Sequence, residues 1–129
     1  MKKIVSERRV TQRKGDLAVA QAIATFTKLG MDVSLPLTES AAYDLIADFN
    51  NALHRIQVRF SSDKEVGLRR IHSNSKGYVV KRPRENAYDW LYVYNPAEGE
   101  YLITRPLTNR NTITPQKSDL LVTAIESLK

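Results

Sequence analysis

The stretch YDLIADFNNALHRIQVRF, residues 43–60, decides the fold that this sequence predicts. Two short apolar runs flank Asn50-Asn51, and asparagine tolerates the positive φ angles of a tight turn. The stretch therefore predicts a β-hairpin with strands over 43–49 and 53–60. Asp44 opens the first strand, and Gln57 and Arg59 share one face of the second strand because they are two residues apart. If the strands pair through the turn, these three polar side chains meet at the open end of the hairpin.

These polar side chains admit two interpretations. A structural Asp–Arg pair could close the hairpin, and a triplet alone favours that interpretation. Alternatively, the side chains form a site for a divalent cation and a phosphate, because hard cations such as Mg²⁺ prefer oxygen ligands and a guanidinium neutralises a phosphate. Asp16 adds a second acid, which the sequence places in the first turn of a helix, where the helix dipole favours a carboxylate.

The rest of the chain predicts an α+β fold with a mixed sheet. Apolar residues at helical spacing predict a helix over 15–29 that ends at Gly30. Ser118 is expected to cap a final helix over 119–128, and the polar segment 108–115 is expected to be irregular. Further short strands are predicted over 31–36, 66–71, 78–81, 89–94 and 101–104.

The alternating aromatic residues of the 89–94 strand place Trp90, Tyr92 and Tyr94 on one face of the sheet. Core packing is the favoured role for this face, and a subunit interface is the alternative.

Composition indicates one compact domain, residues 1–129, with 42% hydrophobic residues. The chain has no cysteine, which excludes disulfides and a thiolate zinc site. His54 and His72 lack partners at metal-ligand spacing. No run predicts a membrane span or an export signal, so a cytoplasmic location is expected.

The net charge of +6 is concentrated in two segments. The arm 1–14 carries six basic residues against one acid, and 64–84 carries seven against one. Such clusters predict a polyanionic partner, most simply double-stranded DNA, and strongly salt-dependent binding. A solvated basic face that only aids solubility is the alternative. The predicted DNA contacts are Lys2, Lys3, Arg8, Arg9, Arg13, Lys14, Lys64, Arg69, Arg70, Lys76, Lys81, Arg82 and Arg84.

Four motifs recur in order: KGD at 14–16, YDL at 43–45, IQVR at 56–59 and YDWLYVY at 88–94. With them the sequence resembles the PD-(D/E)XK nuclease superfamily, and within it the bacterial group I intron-encoded homing endonucleases; the matching stretches lie between residues 14 and 106. The resemblance implies a restriction-endonuclease-like core of αβββαβ type. It also implies Mg²⁺-dependent hydrolysis of double-stranded DNA at a specific site by a homodimer or homotetramer.

Carried over by position, the resemblance implies that Asp44 binds the metal and that Gln57 replaces the usual second acid. The Val58 carbonyl would be a further ligand, and Arg59 would stand at the position of the catalytic lysine. Asp16 would match an acidic helix residue near the metal. The basic segment 61–84 would correspond to strands that enter a DNA groove.

Two departures from the family pattern qualify this assignment. Arg59 stands where a lysine is expected, and its planar fork is bulkier than an ammonium group. Some relatives add a glutamate one helical turn after the first acid, where this chain has Val19. The alternative function is therefore a catalytically weakened or inactive DNA-binding protein on the same fold, and a junction or repair nuclease is a third. A lysine from elsewhere, such as Lys64, could compensate for Arg59.

Overall fold

The computed structural model describes residues 10–68, 70–74, 77–81 and 87–129, and only the backbone within 70–74 and 77–81. None of the helices in these ranges is long and apolar enough to cross a membrane. The helical elements are α1 (Val10–Lys28), a 3₁₀ turn (Lys117–Asp119) and α2 (Leu121–Ser127). The strands are β1 (Asp32–Ser34), β2 (Leu45–Phe49), β3 (Ala52–Phe60), β4 (Val66–Gly67), β5 (Arg70–Asn74), β6 (Gly77–Lys81), β7 (Trp90–Asn95), β8 (Gly99–Ile103) and β9 (Thr112–Ile113).

Five of these strands form one mixed sheet in the order β1-β2-β3-β7-β8. Its neighbours pair antiparallel except for β3 and β7, which are parallel. Two smaller antiparallel pairs, β4 with β9 and β5 with β6, complete the described strands. The predicted α+β fold with a mixed sheet is confirmed.

The predicted hairpin is confirmed by its turn and its register. Asn50 and Asn51 both have positive φ angles, 54° and 62°, as a two-residue turn between twisted strands requires. The register pairs Leu45 with Ile56 and Phe49 with Ala52. Alternate residues of β3 therefore face opposite sides of the sheet.

One side of the sheet, here called the helix face, packs against both α-helices. Ala18, Ala22 and Phe26 recur every four residues on the inner side of α1, and α2 contributes a second apolar stripe. The sheet contributes Ile56, Val58, Trp90 and Tyr92. Trp90 and Tyr92 are 5% and 0% exposed, so core packing is confirmed for these two aromatic residues.

The opposite side, here called the second face, carries a smaller core. Leu91, Val93 and Ile103 lie beneath Val66 and Ile113, which belong to the β4–β9 pair. Because β7 contributes to both cores, its residues 90–93 are all buried. β7 is thus a central strand, and β3 beside it is held at a fixed position.

A carboxylate on β8 ties α1 to the sheet. Glu100 Oε1 accepts hydrogen bonds from the buried Tyr92 hydroxyl, from Thr25 Oγ1 at 2.5 Å and from Gln21 Nε2 at 3.4 Å. Thr25 and Gln21 lie one turn apart on α1, so a single acid fixes one flank of the helix over the β7–β8 pair.

The ends of both helices differ from the sequence prediction. α1 runs from Val10, so part of the basic arm lengthens the helix predicted over 15–29, and it continues through Gly15 because a glycine inside a helix costs only about 1 kcal/mol. Ser118 does not cap the last helix. Asp119 instead pairs with Arg105, with Nη1–Oδ1 and Nη2–Oδ2 distances of 2.6 and 3.2 Å, and accepts from the Gln116 N–H. These contacts hold 117–119 in a separate turn, and α2 starts at Leu121.

The segment between β3 and β7 also differs from expectation. The predicted strand over 66–71 is divided, because β4 pairs with β9 whereas β5 pairs with β6. β9 lies in the segment 108–115, which was expected to be irregular. In the described part of 61–84, the strands β4, β5 and β6 occur where the resemblance implied strands.

Candidate active site

The structure places Asp44 beside the middle of β3. The Asp44 N–H donates to the Ile56 carbonyl at 2.9 Å, and the Val58 N–H donates to Asp44 Oδ2 at 2.8 Å. The register already pairs Leu45 with Ile56, so Asp44 and Leu45 both lie opposite Ile56, and Asp44 departs from the regular pairing as in a β-bulge. Asp44 is half-buried, so solvent reaches it. Its carboxylate is therefore both close to β3 and accessible to a ligand.

β3 has an open edge next to this carboxylate. The first residue of β2, Leu45, pairs with Ile56, so residues 57–60 of β3 extend beyond the paired part of β2. Within a strand, the N–H and C=O of one residue point to the same side. Because the Val58 N–H points to Asp44, the Val58 carbonyl also projects from this edge.

Gln57 and Arg59 lie on the second face of β3, opposite Leu91 and Val93 of β7. Both side chains are half-buried. Burial raises the pKa of the Tyr88 hydroxyl, and the positive charge of Arg59 partly opposes that rise. The guanidinium is therefore near Tyr88 at the margin of the β4–β9 core.

Asp16 lies on the exposed surface of α1, in its second turn, and the first turn has no acidic residue. The predicted support from the helix dipole is thus wrong. At 100° per residue, Asp16 projects about 160° away from Lys14. Lys14 shares its flank with Gln21 and Thr25, which reach Glu100 on β8. Asp16 therefore lies on the flank of α1 opposite Lys14, and no direct contact between Asp16 and Asp44 occurs among the described residues.

The structure shows where Val19 lies and whether Lys64 is close enough to compensate for Arg59. Val19 is half-buried and packs against the core on the helix face, so it supplies no oxygen. Lys64 lies in a pocket beside β8 with Glu98 and Tyr101. That position is two strands from β3, on the side away from Asp44. The geometry therefore does not support compensation of Arg59 by Lys64.

The sequence analysis missed an ion pair next to the site. Asp89 Oδ2 accepts from the Arg55 backbone N–H at 2.8 Å and from Nε at 3.3 Å, and Oδ1 accepts from Nη2 at 3.2 Å. The Asp89 N–H donates back to the Arg55 carbonyl at 2.8 Å. The motif YDW contained the signal, since an acid directly before a buried strand has few other roles. The pair fixes the start of β7 against β3, two residues before Gln57.

Five of the thirteen predicted DNA contacts lie within the described residues. Arg13 and Lys14 lie in α1, and the Lys14 Nζ is 5.6 Å from the centroid of the Phe60 ring. Arg70 and Lys81 pair across β5 and β6, and their side chains are not described. The positions outside the described residues are Lys2, Lys3, Arg8, Arg9, Arg69, Lys76, Arg82 and Arg84.

The candidate metal donors are mixed in type. No group of three or more His, Cys, Asp or Glu side chains converges among the described residues. One carboxylate, one amide oxygen and one backbone carbonyl, from Asp44, Gln57 and Val58, are all hard oxygen donors of the kind that Mg²⁺ prefers. The donor set therefore fits a hard divalent cation that keeps several of its waters.

Comparisons with known proteins identify the family and the fold. The sequence model of a family described as PD-(D/E)XK endonuclease matches residues 9–116. Among solved structures, the bacterial homing endonuclease I-Ssp6803I is similar, with a TM-score of 0.66 and 23% sequence identity over 93% of this chain and 97% of that one. No curated protein sequence matches the chain significantly.

Proposed function

Because the chain belongs to the PD-(D/E)XK endonuclease family, we propose that it hydrolyses phosphodiester bonds in double-stranded DNA at a specific site, as a Mg²⁺-dependent endonuclease of the homing type. One observation carries the proposal. The Asp44 carboxylate is held against β3 by the Val58 N–H, and β3 is the strand that carries Gln57 and Arg59.

The chain's own residues would hold the ion at the open edge of β3. Asp44 binds it through the carboxylate oxygen that the Val58 N–H does not occupy. The Gln57 amide oxygen, the Val58 carbonyl and Asp16 complete the proposed protein ligands. When bound, such an ion lowers the pKa of a coordinated water and stabilises charge on the phosphate.

Arg59 would neutralise the scissile phosphate from the second face. A guanidinium donates two parallel hydrogen bonds to a phosphate and remains protonated at every physiological pH. It therefore positions the phosphate and does not act as a base. The ion pair of Arg55 with Asp89 keeps this part of β3 aligned with β7.

Replacement of Asp44 tests the proposal directly. Asp44→Asn keeps an oxygen that can accept from the Val58 N–H but removes the charge, and Asp44→Ala removes both. Partners that merely support a metal ligand typically contribute about 10- to 100-fold, so we expect loss of the ligand itself to lower cleavage more than about 100-fold. Asp48→Ala is the matched control, because Asp48 is an exposed acid at the other end of β2.

The assay is nicking and linearisation of a library of duplex targets in Mg²⁺, with thermal unfolding as a check on folding. Wild-type-like cleavage by a folded Asp44→Ala protein would contradict the proposed site. Failure of the wild type to cut any member of a broad library would contradict the proposed activity.

The resemblance also supports assembly as a homodimer or homotetramer on a long DNA target. Sedimentation of the full chain with and without duplex DNA would measure the number of subunits. A monomer in both states would exclude this part of the proposal.

A second candidate function is DNA binding without efficient cleavage. Arg59 and Val19 favour it, since they remove an ammonium group and a carboxylate that relatives place near the metal. Tight DNA binding together with no Mg²⁺-dependent nicking would support this function over the first.

A further inference from the structure

A polar pocket of about 270 Å³ lies beside β8, apart from the site at Asp44. The loop after β3, the residues around the β7–β8 turn and the segment 114–120 form its walls. The antiparallel bridge between Tyr101 and Leu120 joins that segment to β8. The pocket residues used below are Lys64, Glu98, Tyr101, Pro115, Lys117 and Leu120.

The chemistry of the lining suits an anion attached to an apolar group. Lys64 and Lys117 come from two separate segments, and both line the pocket, so two basic side chains flank it. The single acid, Glu98, already accepts a hydrogen bond from the Tyr101 hydroxyl at 2.9 Å. Pro115 and Leu120 give apolar contact. The pocket therefore carries a net positive formal charge, and the Tyr101 ring and two aliphatic side chains line it as well.

The size of the pocket limits what can bind. Pockets that enclose a drug-sized ligand or cofactor usually have about 300–1,000 Å³. A smaller, open pocket fits a phosphate group with part of its sugar.

The pocket lies on the same side of the sheet as Arg59. Arg59 is opposite Val93, and Val93 is opposite Tyr101, so the three form one row across β3, β7 and β8. With strands about 4.8 Å apart, the outer two backbones are about 10 Å apart. The loop between them crosses the end of β7, where the Ser61 N–H donates to the Tyr94 carbonyl at 3.0 Å.

We infer that this pocket binds a backbone phosphate of the DNA substrate, away from the scissile phosphate, between Lys64 and Lys117. The inference rests on the proposed function, because it assigns a second contact to the same substrate. The pocket therefore fixes the path of the DNA relative to Arg59 and takes no part in the chemistry.

The test compares Lys64→Ala/Lys117→Ala with Lys28→Ala/Lys129→Ala in the full chain. Both double variants remove two positive charges, and Lys28 and Lys129 lie at helix ends outside the pocket. The probe is a 40-base-pair duplex with Ca²⁺ in place of Mg²⁺, titrated across salt concentrations. Loss of one phosphate contact makes the negative slope of log binding constant against log salt concentration shallower by about 0.9. Loss of charge-assisted hydrogen bonds weakens affinity about 10- to 100-fold.

Removing the acidic residue of the same pocket should have the opposite effect on DNA affinity. Glu98→Gln removes a charge that repels phosphate, so its DNA affinity should rise more than that of Glu126→Gln, the exposed control. The inference is overturned if the pocket variants match their controls in both affinity and salt slope.

A second arm separates DNA from a free phosphate ligand. Deoxyadenosine monophosphate and inorganic phosphate are titrated against the wild type while amide signals of 114–120 are followed by NMR. Saturable binding of the mononucleotide, with unchanged duplex affinity in the lysine variant, would overturn the inference in favour of a nucleotide site. If the wild type cleaves DNA but the pocket variants match their controls, this inference fails and the proposed function stands. If the wild type neither binds nor cleaves DNA, both fail.

Discussion

Replacing Glu100 by alanine should destabilise the fold far more than replacing a nearby glutamate. Glu100 is the shared acceptor for Tyr92, Thr25 and Gln21, so it connects α1 to the sheet. Tyr92 is 0% exposed, and its hydroxyl would lose its acceptor without gaining water. Thr25 and Gln21 are half-buried and also bond to each other at 3.3 Å, so their loss is smaller.

The size of the destabilisation by Glu100→Ala follows from the Tyr92 hydroxyl, which is left buried without an acceptor. A buried donor left without an acceptor costs about 1–3 kcal/mol, and a hydrogen bond to a charged group lies at the upper end of that range. We therefore expect Glu100→Ala to lower the free energy of unfolding by about 2–3 kcal/mol. For a chain of this size, that corresponds to a fall of roughly 6–15 °C in Tm.

Urea unfolding at pH 7, followed by circular dichroism, measures this loss. Glu98→Ala is the matched control, because Glu98 accepts from an exposed tyrosine hydroxyl and should cost less than about 0.5 kcal/mol. In the double variant Glu100→Ala/Tyr92→Phe, no hydroxyl is stranded, so the two losses should be less than additive. Equal losses for the two glutamate variants, or strict additivity, would refute the reasoning.

The same tyrosine predicts sensitivity to alkali. Burial, with a smaller contribution from the hydrogen bond to Glu100, raises the pKa of Tyr92 well above its usual value. The unfolded chain releases this proton near pH 10, whereas the folded chain keeps it. Stability from Tyr92 is thus complete below pH 10 and falls as the pH rises further. Tyr92→Phe should flatten that fall.

Three other predictions concern the candidate site and its hairpin. Burial opposes the shift, but hydrogen bonds from Arg55 lower the pKa of the Asp89 carboxyl below its usual value. Asp89 therefore stabilises the fold at pH values above its unfolded pKa, and this stabilisation is lost as the pH falls through the folded pKa. In Asp89→Asn, the free energy of unfolding, measured as a function of pH, should decrease less in acid than it does in the wild type. Asn51→Ala should cost about 1–2 kcal/mol relative to Asn51→Gly in thermal unfolding, because φ is 62° there, and equal stability would contradict the turn geometry. Arg59→Lys should raise the single-turnover cleavage rate in Mg²⁺ if the guanidinium limits the chemistry, whereas a lower rate would show that its fork is required.

The hairpin could be predicted because its determinants are local. Asn50-Asn51 sets the turn, and a two-residue turn fixes the register of both strands. Once the register is fixed, counting residues brings Asp44 next to residues 56–58 of β3, and the shared face of Gln57 and Arg59 follows from the period of a strand. All of this information lies within 18 consecutive residues.

The errors arose where distant partners decide the structure. Asp119 leaves the last helix because Arg105 holds it, and Ser118 has no part in that contact. Val66 joins a two-residue strand because Ile113, nearly 50 residues later, pairs with it. The convergence of Lys64 and Lys117 has the same origin. Propensity at one position carries no information about such pairings.

The central position of β3 has a consequence for how this protein can lose activity. Gln57 and Arg59 belong to the parallel pair at the middle of the sheet, next to a strand that is buried on both sides. Amide protons in such strands usually exchange only when the whole domain opens. The part of β3 that carries the proposed site residues should thus stay folded until the whole domain unfolds. Destabilising substitutions far from the site should therefore reduce the fraction of folded, active protein before they reduce the activity of each folded molecule.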